Sequence, residues 1–170
     1  TDSAGNAVSD IIAAGIIPAA IEMMDRTTIR AAEAAVHPGF PDAEAVLIVE
    51  LDGPQNEVAT LFKQIEAVCA QNKGWGVQVA RDDEQRGRIW MGRKAAFAAM
   101  GRIAPNYYVQ DGVIPRTKLP EVLRRIRQLE IESGLTIGNV FHAGDGNLPP
   151  LVCYDDALDG QADLAEQVAT

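Results

Sequence analysis

The stretch Asp25–Pro54, DRTTIRAAEAAVHPGFPDAEAVLIVELDGP, holds one helix, one turn and one strand in plain sequence. Asp25 is an N-cap for a helix over Arg26–Val36, which the His37-Pro38-Gly39 turn ends. Ala45–Leu51 (AVLIVEL) is apolar and β-branched, reads as a strand, and is closed by Asp52-Gly53 before Pro54 opens another helix. Helix and strand therefore alternate at short range, and the same alternation extends in both directions. Upstream, Ala4–Ala14 is a small-residue helix stopped by Gly15 and Pro18, and Ala19–Met24 is a short strand. Downstream, Val58, Leu61, Phe62, Ile65, Val68 and Cys69 form one helical stripe. A strand over Trp75–Ala80 and a helix begun by Asp82 follow. Then come a strand over Tyr107–Ile114 interrupted by Gly112, a helix over Leu119–Glu132, strands over Leu135–Phe141 and Leu151–Tyr154, and a helix from Asp159 to Thr170. No GxGxxG or GxxxxGK[ST] stands at a strand–helix junction, so a Rossmann or P-loop nucleotide domain is disfavoured. The expected fold is α+β: a ferredoxin-like antiparallel sheet with helices mainly on one face, formed by residues 1–170 as a single domain.

Composition agrees with a folded domain. The chain has 170 residues, 47% of them hydrophobic and 23% charged, too apolar and too mixed in charge for disorder. Its net charge of −9 argues against nucleic acid and anionic membrane surfaces as partners. The longest apolar stretch, Ile11–Ile21, contains Gly15 and Pro18 and is too short to span a bilayer. Cys69 and Cys153 are far apart and read as reduced core thiols of a cytoplasmic protein. The chain starts at Thr1 without a methionine or a targeting segment, which suggests a piece of a longer protein.

One segment is dense in chemistry. Asn139–Pro150, NVFHAGDGNLPP, places His142, Asp145 and Asn147 directly after a strand, with Gly144 and Gly146 around the aspartate. Glycines let the backbone take positive φ and let a ligand come close. A histidine ligates metal or moves a proton near neutrality, and an asparagine can serve a carboxylate or hydroxyl. A tight turn with Asp145 as an Asx-type cap and His142 satisfied in the core explains the same residues equally well. In Trp90–Phe97, WMGRKAAF, an inward-pointing Arg93 would suit a substrate carboxylate, and Arg93 on a helix surface is the plainer alternative; Lys94 reads as solvated. Glu22 and Asp25 could hold a cation, but an exposed strand edge and an N-cap account for them. His37 and the run Arg124, Arg125 and Arg127 read as solvent-exposed. Tyr107 and Tyr108 read as one core and one surface residue.

His142–Leu148, preceded by Asn139-Val140-Phe141, resembles the HAGDGNxHP signature of FAD-linked oxidases. The resemblance to that family extends over most of the chain, through PAAIEMMD at Pro18–Asp25, ELDG at Glu50–Gly53, WMGRKAAF, GRIAP at Gly101–Pro105, YYVQDGVIPR at Tyr107–Arg116 and LPEVL at Leu119–Leu123. The resemblance implies the cap domain of a vanillyl-alcohol-oxidase-type flavoenzyme, with FAD on an absent N-terminal domain of the same polypeptide. It implies oxidation of glycolate or a D-2-hydroxy acid such as D-lactate to the 2-oxo acid by hydride transfer to flavin. Arg93, in the W-x-x-R motif, would hold the substrate carboxylate, and Asn147 would face the substrate. His142 would correspond to a ligand of the divalent metal found in some relatives. Three departures qualify this. The motif's second histidine is Pro149 here, which cannot coordinate, so no bound metal is expected. A later GEHG segment, source of an acidic ligand and a catalytic histidine, is not reached. Val109 stands where hydroxyglutarate-type relatives carry a lysine, favouring a small monocarboxylate.

The fragment alone is expected to be inactive, with no catalytic residue of its own, and to leave uncovered a face that packs on the flavin domain. An iron–sulfur subunit and a second copy of the chain are its further expected partners. Contact with such subunits would put it at the inner membrane without a transmembrane segment. A ferredoxin-like module that binds small carboxylates without redox chemistry is the alternative.

Overall fold

The computed structural model describes residues 1–170. In chain order the elements are α1 (Asp2–Ala13), β1 (Ala20–Asp25), α2 (Arg26–Val36), β2 (Ala45–Glu50), α3 (Gln55–Gln71), α4 (Asp83–Ala99), β3 (Asn106–Val109), α5 (Leu119–Ser133), β4 (Ile137–Gly138), β5 (Val140–His142), β6 (Leu151–Tyr154) and α6 (Gln161–Ala169). The strands form two three-stranded antiparallel sheets, ordered β2-β1-β5 and β3-β6-β4. The fold is α+β and antiparallel, divided into two small sheets. β4 and β5 are two parts of one extended run that crosses from one sheet to the other at Asn139.

Asn139 has a physical reason to be that crossing point. Its backbone N–H and its side-chain amide both donate to Asp25 Oδ2, at 2.7 and 2.9 Å. Its carbonyl accepts from the Asp25 N–H at 2.9 Å and from the Thr28 hydroxyl at 3.0 Å. Asp25 meanwhile caps α2, accepting from the Thr28 N–H at 2.9 Å. Burial pushes the Asp25 carboxyl upward, against the pull of these donors toward the carboxylate form. The N-cap anticipated from sequence is therefore also the anchor of the strand crossing.

Side-chain alternation along the strands sorts the interior into two cores. Ile21, Met23, Phe141 and Val152 face one cluster, filled from α1, α3, α5 and α6 by Val8, Ile11, Ile65, Leu119, Leu123 and Ala165. Met24, Ile48, Val140, Leu151 and Cys153 face the other, filled from α2 and α4 by Ile29, Ala32, Ala96 and Ala99. Helices thus cover both faces, four on one and two on the other. Cys153 lies in the second core, where burial pushes its thiol up to about 11; Cys69 is half-buried and its thiol is also raised by burial.

Several elements differ from the sequence expectation. Trp75–Ala80 has no ladder partner and is exposed throughout. It emerges from a tight α3 terminus, where the Gly74 N–H donates to Cys69 O at 2.7 Å, and Gly76 takes φ +68° inside the apolar alternation. The strand near Tyr107 ends at Val109, and Val113 makes only an isolated bridge to Asn147. The α3 stripe is mostly half-buried, with Ile65 alone fully covered. Tyr107 and Tyr108 are both half-buried, one against each core, and Tyr107 meets Phe97 edge-to-face at 5.7 Å. No helix is long and apolar enough to cross a membrane.

Candidate functional site

β1 is the middle strand of its sheet, so a side chain there is hemmed in by both neighbours. Glu22 lies opposite Ile48 of β2 and His142 of β5. Its side chain is 2% exposed. This overturns the reading of Glu22 as an exposed strand-edge residue. A carboxylate so deeply placed needs ionic or hydrogen-bonding partners. Glu22 has two, one on each oxygen. The Arg93 Nε donates to Glu22 Oε2 at 2.8 Å, and Arg93 Nη2 stands 2.8 Å from the same oxygen. His142 Nδ1 lies 2.5 Å from Oε1. Arg93 and His142, remote in sequence, therefore meet on one buried carboxylate.

The two partners differ in exposure. The Arg93 side chain is 13% exposed and that of His142 60%. Arg93 thus points inward, against the sheet, and is not a solvated surface arginine. The bond to Glu22 uses the side-on edge of the guanidinium, Nε and Nη2, and leaves the Nη1 end with no protein hydrogen bond. Gly92 seats this part of α4. A Cβ there would lie 2.6 Å from Pro38 Cβ and 2.7 Å from Phe40 Cε2, so only glycine lets α4 lie this close to the chain leaving α2. Lys94 is exposed, as are His37 and the arginine run. Arg125 and Arg127 pair with Glu132 and Glu130, and Arg124 lies 3.7 Å from Asp2.

The turn after β5 is held from two sides. The Gly144 N–H donates to Ile21 O at 3.2 Å, and the Ile114 N–H donates to Gly146 O at 2.9 Å. The Leu148 N–H donates to Gly112 O at 2.8 Å. Asp145 is exposed and its carboxylate caps nothing, contrary to the Asx-cap alternative. Asn147 is half-buried, and its Oδ1 is shielded from solvent without a hydrogen-bond partner. No hydrogen bond joins Asn147 to the Glu22 trio. Gly146 takes φ +73°, and a Cβ would stand 2.3 Å from Ile114 O. Gly146→Ala is therefore expected to lower stability by about 3 kcal/mol, combining left-handed strain with a backbone clash. Urea unfolding would measure this, with Asp145→Ala, at an exposed position, shifting by less than about 0.5 kcal/mol.

At this site a divalent ion would find a single imidazole nitrogen of this chain, His142 Nε2. No three His, Cys, Asp or Glu side chains converge anywhere in the chain. Both oxygens of Glu22 and His142 Nδ1 are engaged with protein partners, Pro149 offers no ligand atom, and His142 Nε2 is left without a protein partner. Nor does the chain contain a glycine-rich strand–helix junction to cradle a dinucleotide. Glu22 is the residue whose part in the site sequence reasoning did not find, having placed it on an exposed strand edge. The signal was there: a lone acid inside the apolar run Ala19–Met24 is out of place unless something meets it.

The chain is similar to known proteins over nearly its whole length. The chain is 47% identical over 168 residues to the glycolate oxidase subunit GlcD of Escherichia coli (strain K12), covering 98% of this chain and 34% of that protein. It is 34% identical over 167 residues to the glycolate oxidase subunit GlcD of Bacillus subtilis, covering 98% of this chain and 36% of that protein. With the mitochondrial D-lactate dehydrogenase [cytochrome] of Arabidopsis thaliana it shares 25% identity over 169 residues, 98% of this chain and 30% of that one. The chain thus spans about a third of the length of these relatives. Among solved structures, a 4-ethylphenol oxidase from Gulosibacter chungangensis matches 88% of this chain and 36% of its own with a TM-score of 0.54 at 13% identity, a likeness of fold. The family described as FAD linked oxidases, C-terminal domain, matches residues 1–170 without a gap at either end, and the chain belongs to that family.

Proposed function

We propose that this chain is the substrate-side domain of an FAD-dependent oxidoreductase that converts glycolate, or a D-2-hydroxy acid such as D-lactate, to the 2-oxo acid. The FAD is held by another domain of the same polypeptide, and when bound it supplies the hydride acceptor. One observation carries the reading: a guanidinium fixed by its side-on edge with its Nη1 end unpaired. The Nη1–Nη2 edge that remains has the spacing of a carboxylate, and a bidentate pair there would orient the substrate as well as bind it. Asn147, whose buried Oδ1 lacks a donor, is the second substrate residue in this reading. Its unmet acceptor would take a donor supplied from outside this chain. Val109, with no charge to offer a second carboxylate, fits a monocarboxylate. Val113, bridged to Asn147, is 78% exposed, and Ile17, ahead of β1, is 86% exposed; both suit a face that the flavin domain covers. An iron–sulfur subunit as electron acceptor and a homodimer belong to the same proposal, and co-purification tests both.

The direct test is anaerobic titration of the flavin-loaded full-length protein with glycolate, D-lactate, L-lactate and D-2-hydroxyglutarate. Glycolate and D-lactate should bleach the flavin's visible absorbance, and the dicarboxylate should do so poorly. A loaded protein that none of them bleaches would sink the oxidase reading. Binding of these acids without bleaching would leave a carboxylate-binding module in its place.

A further inference from the structure

Glu22 occupies a position where an apolar side chain would be the simpler choice. Met24, Ile48 and Val140 surround that sheet face, and a buried ion pair rarely outperforms a well-packed hydrophobic residue in stability. What a carboxylate does, and an apolar residue cannot, is hold two polar groups in fixed directions at once. Its strand is paired on both sides, which fixes the backbone, and the buried carboxylate is engaged at both oxygens.

We propose that Glu22 is the positioning residue of this site, holding the Arg93 guanidinium by its side-on edge and the His142 imidazole by Nδ1. The Arg93 Nη1–Nη2 edge and His142 Nε2 are thereby presented together to the carboxylate and hydroxyl of a 2-hydroxy acid. The inference rests on the hydroxy-acid reading above. Its geometric content is separate and concerns the tautomer. A buried carboxylate accepts and does not donate, so the His142 nitrogen facing it carries the hydrogen. Nε2, on the far side of a ring that is 60% exposed, is then left with its lone pair free to accept from a substrate hydroxyl. In free imidazole the preference does not run this way, and Glu22 is what imposes it.

The chain contains only two histidines, and His37 is exposed at the end of α2, a built-in reference. In alkaline solution, 15N spectra of the histidine-labelled protein should show His142 as the Nδ1–H tautomer and His37 as an ordinary mixture. In Glu22→Gln, Arg93 claims the amide oxygen and the amide NH2 faces His142 Nδ1, so His142 should flip to Nε2–H. In the flavin-loaded full-length enzyme the same variant should lower kcat/KM for D-lactate or glycolate by about thirtyfold. Most of that loss should fall in kcat, and Glu22→Asp should recover part of it. A wild-type His142 found as Nε2–H overturns the proposal, whether or not the variant folds. So does a variant whose tautomer flips while kcat/KM holds. Failure of the oxidase reading looks different: wild-type enzyme never bleaches, which removes the substrate role, while the tautomer still decides whether Glu22 orients His142.

Discussion

Under the proposed function, Arg93→Ala is expected to lower kcat/KM of the full-length protein toward glycolate or D-lactate by about two orders of magnitude or more. The figure follows from the loss of a charge-assisted pair to the substrate carboxylate, roughly 3 kcal/mol. The substitution also removes the cation beside a carboxylate that is only 2% exposed. Leaving that charge with His142 alone should cost stability, about 3–5 kcal/mol for a broken buried pair. Arg93→Lys separates the two effects. A lysine ammonium can still neutralise Glu22 and so should keep the fold, but it has no planar fork for a second carboxylate. KM should therefore rise at least tenfold in the lysine variant while its melting temperature stays near wild type. Unchanged kinetics in both variants would take Arg93 out of the substrate site. Steady-state kinetics beside thermal melts of the same preparations provide the measurement.

Phe141→Ala should cost the fold about 4 kcal/mol, within the range of large aromatic deletions from a well-packed core. Phe141 is 1% exposed and heads the fully buried side chains by volume. It pairs in register with Met23 on β1 and packs into the core that α1 and α5 share with the sheet. It also precedes His142 on a strand of only three residues, so whatever loosens Phe141 loosens the imidazole's hold on Glu22. Equilibrium urea unfolding should show the midpoint shift. Phe141→Leu, which refills most of the volume, should lose under about 1.5 kcal/mol. An alanine variant within 1 kcal/mol of wild type would mean that β5 does not bear on the core as the register indicates.

Local signals were legible wherever the physics is local. Asp25 as a cap, the helix from Arg26 to Val36, the strand closed by Asp52-Gly53 and Asp82 as the start of α4 all follow from capping chemistry and apolar period. Trp75–Ala80 has equally good strand alternation, yet a strand needs a partner. The turn at Gly74 and the positive φ of Gly76 send that segment along the surface instead. The run Leu135–Phe141 read as one strand, because Asn139 shows its second role only once Asp25 is beside it. Glu22 stood in plain view within an apolar run, and an edge position explained it until the order β2-β1-β5 put its strand in the middle.

From the sequence alone come the α+β class, the acidic composition, the family motifs and the membership of Arg93, His142 and Asn147 in them. These depend on neighbours within a few positions, where side-chain type and spacing are enough. The pairing of Arg93 with His142 through Glu22, the unpartnered Oδ1 of Asn147 and the division into two sheets arise from contacts between segments far apart in the chain. Such contacts are chosen by which strand lies beside which and by where a glycine, Gly92 or Gly146, lets two backbones approach. A carboxylate's worth to the site is decided by what reaches its two oxygens, and that exists only once the chain has closed around it.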